Sequence, residues 1–257
     1  MKLTIFGATG RIGGHLLNWA VDAGHDVHVL ARSPQALRPR DGLTVTGGDV
    51  LDPAAVAAVI SEADTVLSAV GPKIRDNFHY TELLAPAAAN IIDGMHKTGA
   101  RRLIAVSAAA AFIPEDPDKS WIAKQTQPRI FARTFADVRR MEQVVKDSDL
   151  DWTLVRPTRL VNDPGKSWIA KQIQPRLFAG TFADVRQMER VVKDSDLDWT
   201  LVRPTRLVND PGKGEYRVRA DFPPPGGGKI ARADVAHFIG TALTSASYIR
   251  ECPALAY

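Results

Sequence analysis

The chain has 257 residues, 45% of them apolar and 24% charged. That balance belongs to a folded globular protein and excludes a disordered, collagen-like or disulfide-stapled chain. Thirty-three basic and 29 acidic residues leave a formal charge of +4 and a pI near 9.3, a diffuse excess that favours small anionic ligands and argues against nucleic acid.

Lys2–Phe6 is a short apolar run with β-branched residues and predicts a first strand, followed by the glycine-rich turn Gly7–Gly13. Ile12, Leu16, Leu17 and Ala20 recur at helical spacing from Arg11 to Ala23, and Gly24 stops that helix. Strands are predicted at Asp26–Ala31, Leu43–Thr46, Thr65–Ala69 and Arg102–Ser107, with helices beginning at Pro53 and spanning about Thr81–Lys97. Further on come helices Phe135–Lys146 and Phe182–Lys193, strands Trp152–Arg156, Trp199–Arg203 and Tyr216–Val218, a loop at Pro223–Gly228 and a last helix at Ala233–Leu243. Strand alternating with helix predicts an α/β fold: a doubly wound parallel sheet, Rossmann-like, with one helix–strand unit duplicated.

The duplication is visible letter by letter. Residues 119–165 and 166–212 are abutting blocks of 47 residues that differ at five places: Thr126/Ile173, Ile130/Leu177, Arg133/Gly180, Arg140/Gln187 and Gln143/Arg190. Two copies are too few for a solenoid, which needs about three to bury its faces. The expectation is therefore one domain over residues 1–257 carrying an extra piece. Only one copy's strand can lie beside the fifth strand. Sequential winding gives that place to copy one, with copy two outside it; the competing arrangement keeps copy two in that place. The edge exposed or newly paired in either case allows a homodimer.

Gly7-Ala8-Thr9-Gly10-Arg11-Ile12-Gly13 ends a strand and opens a helix. Glycines at that place permit a tight turn and close approach of a pyrophosphate to backbone N–H groups at the positive end of the helix. The second strand ends in Arg32 where NAD-preferring units carry an acid, and a guanidinium there suits a 2′-phosphate, so NADP(H) is the expected cofactor.

These segments, with Gly47–Asp52, Ser68–Gly71, Leu103–Ala111, the twice-written WTLVRPTRL and KIARADVAHFI, resemble the atypical short-chain dehydrogenase/reductases of the NmrA-like, NAD(P)-binding group, nearest the NADPH-dependent flavin reductase/biliverdin-IXβ reductase type. The resemblance implies that Gly7, Thr9, Gly10, Arg11 and Ile12 surround the pyrophosphate and that Arg32 meets the 2′-phosphate. It likewise implies Asp49 and Val50 at the adenine, Ala69, Val70 and Gly71 along the ribose and pyrophosphate, and Ser107 with Pro157 near the nicotinamide. Ser107 and Arg159 are the candidate catalytic residues; the family type has histidine where Arg159 stands. None of the four tyrosines, Tyr80, Tyr216, Tyr248 and Tyr257, begins the Tyr-x-x-x-Lys pattern of the carbonyl-reducing branch. Ser120/Lys124 and Ser167/Lys171 keep that spacing with a much weaker acid.

A hydride transfer to an already electrophilic acceptor, a flavin, tetrapyrrole or quinone, fits this inventory. A non-catalytic NADP(H)-sensing regulator is the alternative. The expected partner is a small anionic or aromatic acceptor, with no nucleic acid, no membrane and no metal. The single cysteine, Cys252, together with a start that enters a strand directly and no apolar run of about 20 residues, places the expectation in the cytoplasm.

Overall fold

The computed structural model describes residues 1–61, 63–71, 82–107, 129–157, 197–244 and 247–257. Its strands are β1 (Lys2–Phe6), β2 (Asp26–Ala31), β3 (Leu43–Gly47), β4 (Thr65–Ser68), β5 (Arg102–Val106), β6 (Asp151–Val155), β7 (Thr200–Pro204), β8 (Arg206–Val208), β9 (Arg217–Ala220), β10 (Lys229–Ala231) and β11 (Pro253–Ala256). Its α-helices are α1 (Arg11–Asp22), α2 (Pro53–Ile60), α3 (Leu84–Thr98), α4 (Arg129–Lys146) and α5 (Arg232–Thr244). The main sheet runs β3-β2-β1-β4-β5-β6-β7-β11-β9, parallel except for β9, which is antiparallel to β11; β8 and β10 form a separate parallel pair. This is the expected α/β, doubly wound, Rossmann-like architecture. The helix Phe182–Lys193 lies outside the described residues.

Buried side chains divide between the two faces of the sheet. One face packs β strands against α2, α3 and α4 through Val56, Ile91, Met95, Met141 and Trp152; the other packs them against α1 and α5 through Leu16, Leu17, Val235 and Phe238. Two helices show why they start where they do. Asp52 caps α2 by accepting from the N–H groups of Ala54 and Ala55, with Pro53 at the first helical position. The start of α3 is capped from a distance: buried Asp137, on α4, accepts from the N–H groups of Leu83, Leu84 and Ala85 at 3.1, 2.7 and 3.1 Å. That foreign cap places the helix start at Leu84, later than the expected start near Thr81.

Copy one's strand, β6, pairs with β5, and copy two's strand, β7, lies outside it, which is the first of the two arrangements. Equivalent residues face each other: Thr153 opposite Thr200, Leu154 opposite Leu201, Val155 opposite Val202. The strand expected at Tyr216–Val218 forms one residue later and runs to Ala220. Among the described residues no helix is long and apolar enough to cross a membrane.

Candidate dinucleotide site

The order of the sheet reverses between β1 and β4, which pair in parallel. Neighbouring strands β2 and β3 extend the sheet one way from β1, and β4 onward extend it the other, so the connections leaving the carboxyl ends of β1 and β4 diverge. Open parallel sheets bind ligands at such a reversal. The glycine turn occupies it. Gly7 has φ +79°, in the left-handed region, and Gly10 N–H donates to its carbonyl at 2.9 Å. A Cβ on Gly7 would stand 2.5 Å from the Ala69 carbonyl oxygen, and one on Gly13 would stand 2.1 Å from the Gly7 oxygen. Both contacts are with backbone that cannot swing away. The turn therefore lies directly against Ala69 and Val70, and two groups of expected residues are brought together.

The expected residues take different postures around this turn. Thr9, Gly10 and Arg11 are exposed at the mouth of α1, whereas the Ile12 side chain is in the core, leaving only its backbone for a ligand. Gly10 precedes α1 without a side-chain cap, and no acid occupies the first turn. That combination leaves the positive helix end unneutralised by its own side chains. Exposed Arg32 follows β2, the neighbour of β1. Asp49 accepts from the Leu51 N–H at 3.0 Å, and the Val50 carbonyl accepts from Asn90 Nδ2 at 3.1 Å, which fixes the loop after β3. Gly71 is exposed just beyond β4, and Pro157 is buried just beyond β6. Arg159, Ser120, Lys124, Ser167 and Lys171 lie outside the described residues.

Ser107 extends the β5 ladder, its N–H donating to the Val155 carbonyl at 2.8 Å. Its hydroxyl is already engaged: Oγ–H donates to Glu142 Oε1 at 2.5 Å. The same carboxylate takes Arg156 Nε on Oε1 at 2.8 Å, Arg156 Nη2 on Oε2, and Lys146 Nζ on Oε2 at 3.2 Å. Glu142 and Arg156 are buried. Burial alone would raise the Glu142 carboxyl, but the Arg156 guanidinium, the Lys146 ammonium and the Ser107 hydroxyl together hold it below its ordinary value. Sequence reasoning missed this cluster. Its one visible sign was the spacing of Glu142 and Lys146, one helical turn apart.

A second cluster adjoins the turn from the opposite face. Trp19, late in α1, covers Gly240, late in α5, so closely that a Cβ there would stand 1.9 Å from the indole. At the other end Arg11 and His15 of α1 lie within electrostatic reach of Arg232, the first residue of α5. The two helices thus run parallel and open on the same edge. Burial, then the Arg232 charge, lowers the His15 imidazole, so it is neutral at pH 7. Arg232 is buried and donates to Asn209 Oδ1 at 2.5 Å. Copy one thus reaches Ser107 through Glu142, and copy two reaches the glycine-turn side through Asn209.

A family model described as NAD(P)H-binding matches residues 7–172 and again residues 166–246. The chain belongs to that family. The (4-alkanoyl-5-oxo-2,5-dihydrofuran-3-yl)methyl phosphate reductase of Streptomyces griseus is 31% identical over 156 residues, 60% of this chain and 46% of the relative. Photosystem II assembly factor Ycf39 of Synechocystis is 27% identical over 120 residues, 46% of this chain and 37% of that protein. The chain thus spans about half or less of the length of these curated relatives. Among solved structures, the anaerobillin reductase ChuY of Escherichia coli O157:H7 superposes over 100% of this chain and 97% of its own with a TM-score of 0.59 at 20% identity, a likeness of fold.

Proposed function

We propose that this protein is an NADPH-dependent reductase of the flavin/biliverdin type within the NmrA-like group, delivering hydride to a flavin, tetrapyrrole or quinone-like acceptor. The observation that carries the reading is the turn at Gly7 and Gly13, packed so tightly on Ala69 and on itself that only glycine fits, with an uncapped helix end behind it. Its cradle suits a diphosphate approaching backbone N–H groups. The family membership and the reductase named among the relatives support the same reading.

When bound, NADPH supplies a hydride from its nicotinamide ring. The chain's own residues bind and orient: Gly7, Thr9, Gly10, Arg11 and the Ile12 backbone at the diphosphate, Arg32 at the 2′-phosphate, Asp49 and Val50 at the adenine, and Ala69, Val70 and Gly71 between them. Ser107 and Pro157 border the nicotinamide end, and Arg159, or Arg206 on β8, meets an anionic acceptor. The protein works in the cytoplasm, as one domain carrying a duplicated block, alone or as a homodimer.

Calorimetry with NADPH and NADH, followed by NADPH oxidation in the presence of FMN, riboflavin or a quinone, tests the reading. Binding of NADPH at least tenfold tighter than NADH, lost in Arg32→Ala, and turnover well above the protein-free rate are expected. No heat with either nucleotide would overturn it. A second reading, an NADP(H)-sensing regulator without turnover, draws on the engagement of the Ser107 hydroxyl by Glu142, which leaves it no proton to give. Tight NADPH binding without oxidation by any acceptor would favour it.

A further inference from the structure

The Glu142 carboxylate is saturated. An ionised carboxylate offers about four lone-pair sites and accepts only. Here Oε1 receives Ser107 Oγ and Arg156 Nε, while Oε2 receives Arg156 Nη2 and Lys146 Nζ. A protonated Glu142 would have to aim its own hydrogen at one of three cationic N–H donors or at Ser107. With a guanidinium and an ammonium beside it, the group stays ionised, and the one hydrogen on Ser107 is committed to it. Toward any ligand Ser107 then shows lone pairs alone.

We infer that Ser107 is a specificity-determining acceptor: it recognises an amide-type N–H on the ligand at the carboxyl end of β5 and does not donate to a carbonyl. The inference rests on the reductase reading. It names a chemistry with two sources, the carboxamide N–H of the nicotinamide and the lactam or imide N–H of a tetrapyrrole or flavin acceptor. It also gives Glu142 a positioning role, since the polarity of Ser107 is set by the carboxylate behind it. Quinones, which carry no such N–H, gain nothing from Ser107.

The test compares each natural ligand with a partner lacking the N–H, in wild type and in Ser107→Ala. For the cofactor, Kd is measured by calorimetry for NADP+ and its 3-acetylpyridine analogue, in which a methyl ketone replaces the carboxamide. For the acceptor, kcat/KM is measured for riboflavin and N3-methylriboflavin. Wild type is expected to favour one natural ligand by about three- to tenfold, the effect of one hydrogen bond, and Ser107→Ala to bring that ratio close to one. The pair whose ratio collapses identifies the source. In parallel, the Glu142 carboxyl is followed by carbon NMR across an acid titration; Ser107→Ala should move it upward by removal of a donor. NADPH binding as in wild type with both ratios unchanged by Ser107→Ala refutes this inference alone, as does an unmoved Glu142 titration. Absence of heat with NADPH refutes the reductase reading and this inference with it.

Discussion

Gly13 and Glu142 show two ways in which single residues hold this site. A methyl group at Gly13 would meet the Gly7 carbonyl at 2.1 Å, and the turn cannot yield without losing its seat on Ala69. Gly13→Ala should therefore weaken NADPH binding by at least a hundredfold while the far end of the sheet stays folded, as calorimetry and circular dichroism together will show. Glu142 acts through charge. Its folded-state carboxyl lies below the ordinary value, so its contribution to stability is full above the unfolded value of about 4.3 and is lost as pH falls through the lower folded value. Glu142→Ala leaves Arg156 buried without its anion and should cost about 3–5 kcal/mol at neutral pH. The penalty should shrink in acid, which urea denaturation at pH 7 and near pH 3 will reveal. The turn was legible because its chemistry is local, seven consecutive residues between a strand and a helix. The Glu142 cluster was not, because Ser107, Glu142 and Arg156 come from a strand end, a helix and the end of the next strand, and beside the expected Ser107 neither Glu142 nor Arg156 stands out.

Among elements, the start of α3 depends on a side chain from α4. Three N–H groups converge on the Asp137 carboxylate, which is fully buried, whereas Asp52 caps α2 at the surface. Removing an exposed cap costs about 1 kcal/mol, but removing this acceptor unpairs three donors at once, one of them, the Leu84 N–H, buried. Asp137→Ala should lower stability by about 2–4 kcal/mol, clearly more than Asp52→Ala, in matched urea titrations. The strands and helices of the first hundred residues could be read from periodicity alone, since each is long enough to show its repeat. β8 and β10 have three residues each, and β11 reads Pro-Ala-Leu-Ala, with no β-branched residue and a proline at its start. Their strand character comes from pairing, β11 being buried between β7 and β9, and no local preference announces it. Edge strand β9 is exposed along its length and carries Arg217 and Arg219, charges of the kind that discourage further strand addition.

At the scale of the molecule, the two 47-residue blocks share the work beside the crevice: Glu142 of the first binds Ser107, and Asn209 of the second binds Arg232. Because both blocks end in the same residues, excising 166–212 joins copy one to Lys213 through an unchanged local sequence. The shortened chain should melt cooperatively and bind NADPH within about threefold of the parent, with β6 paired directly to β11 and Asn162 in the place of Asn209. Aggregation or lost binding would show that the second block supplies something the first cannot. The in-register pairing of Thr153 with Thr200 explains why the protein tolerates both. β5 on one side and β11 on the other each border a strand drawn from the same Trp-Thr-Leu-Val-Arg-Pro segment, so neither flank can sense how many such segments stand between them. The sheet is like a shelf that accepts another identical volume: its width is recorded only in the covalent chain, and a further such strand leaves the strands on either side facing the same sequence.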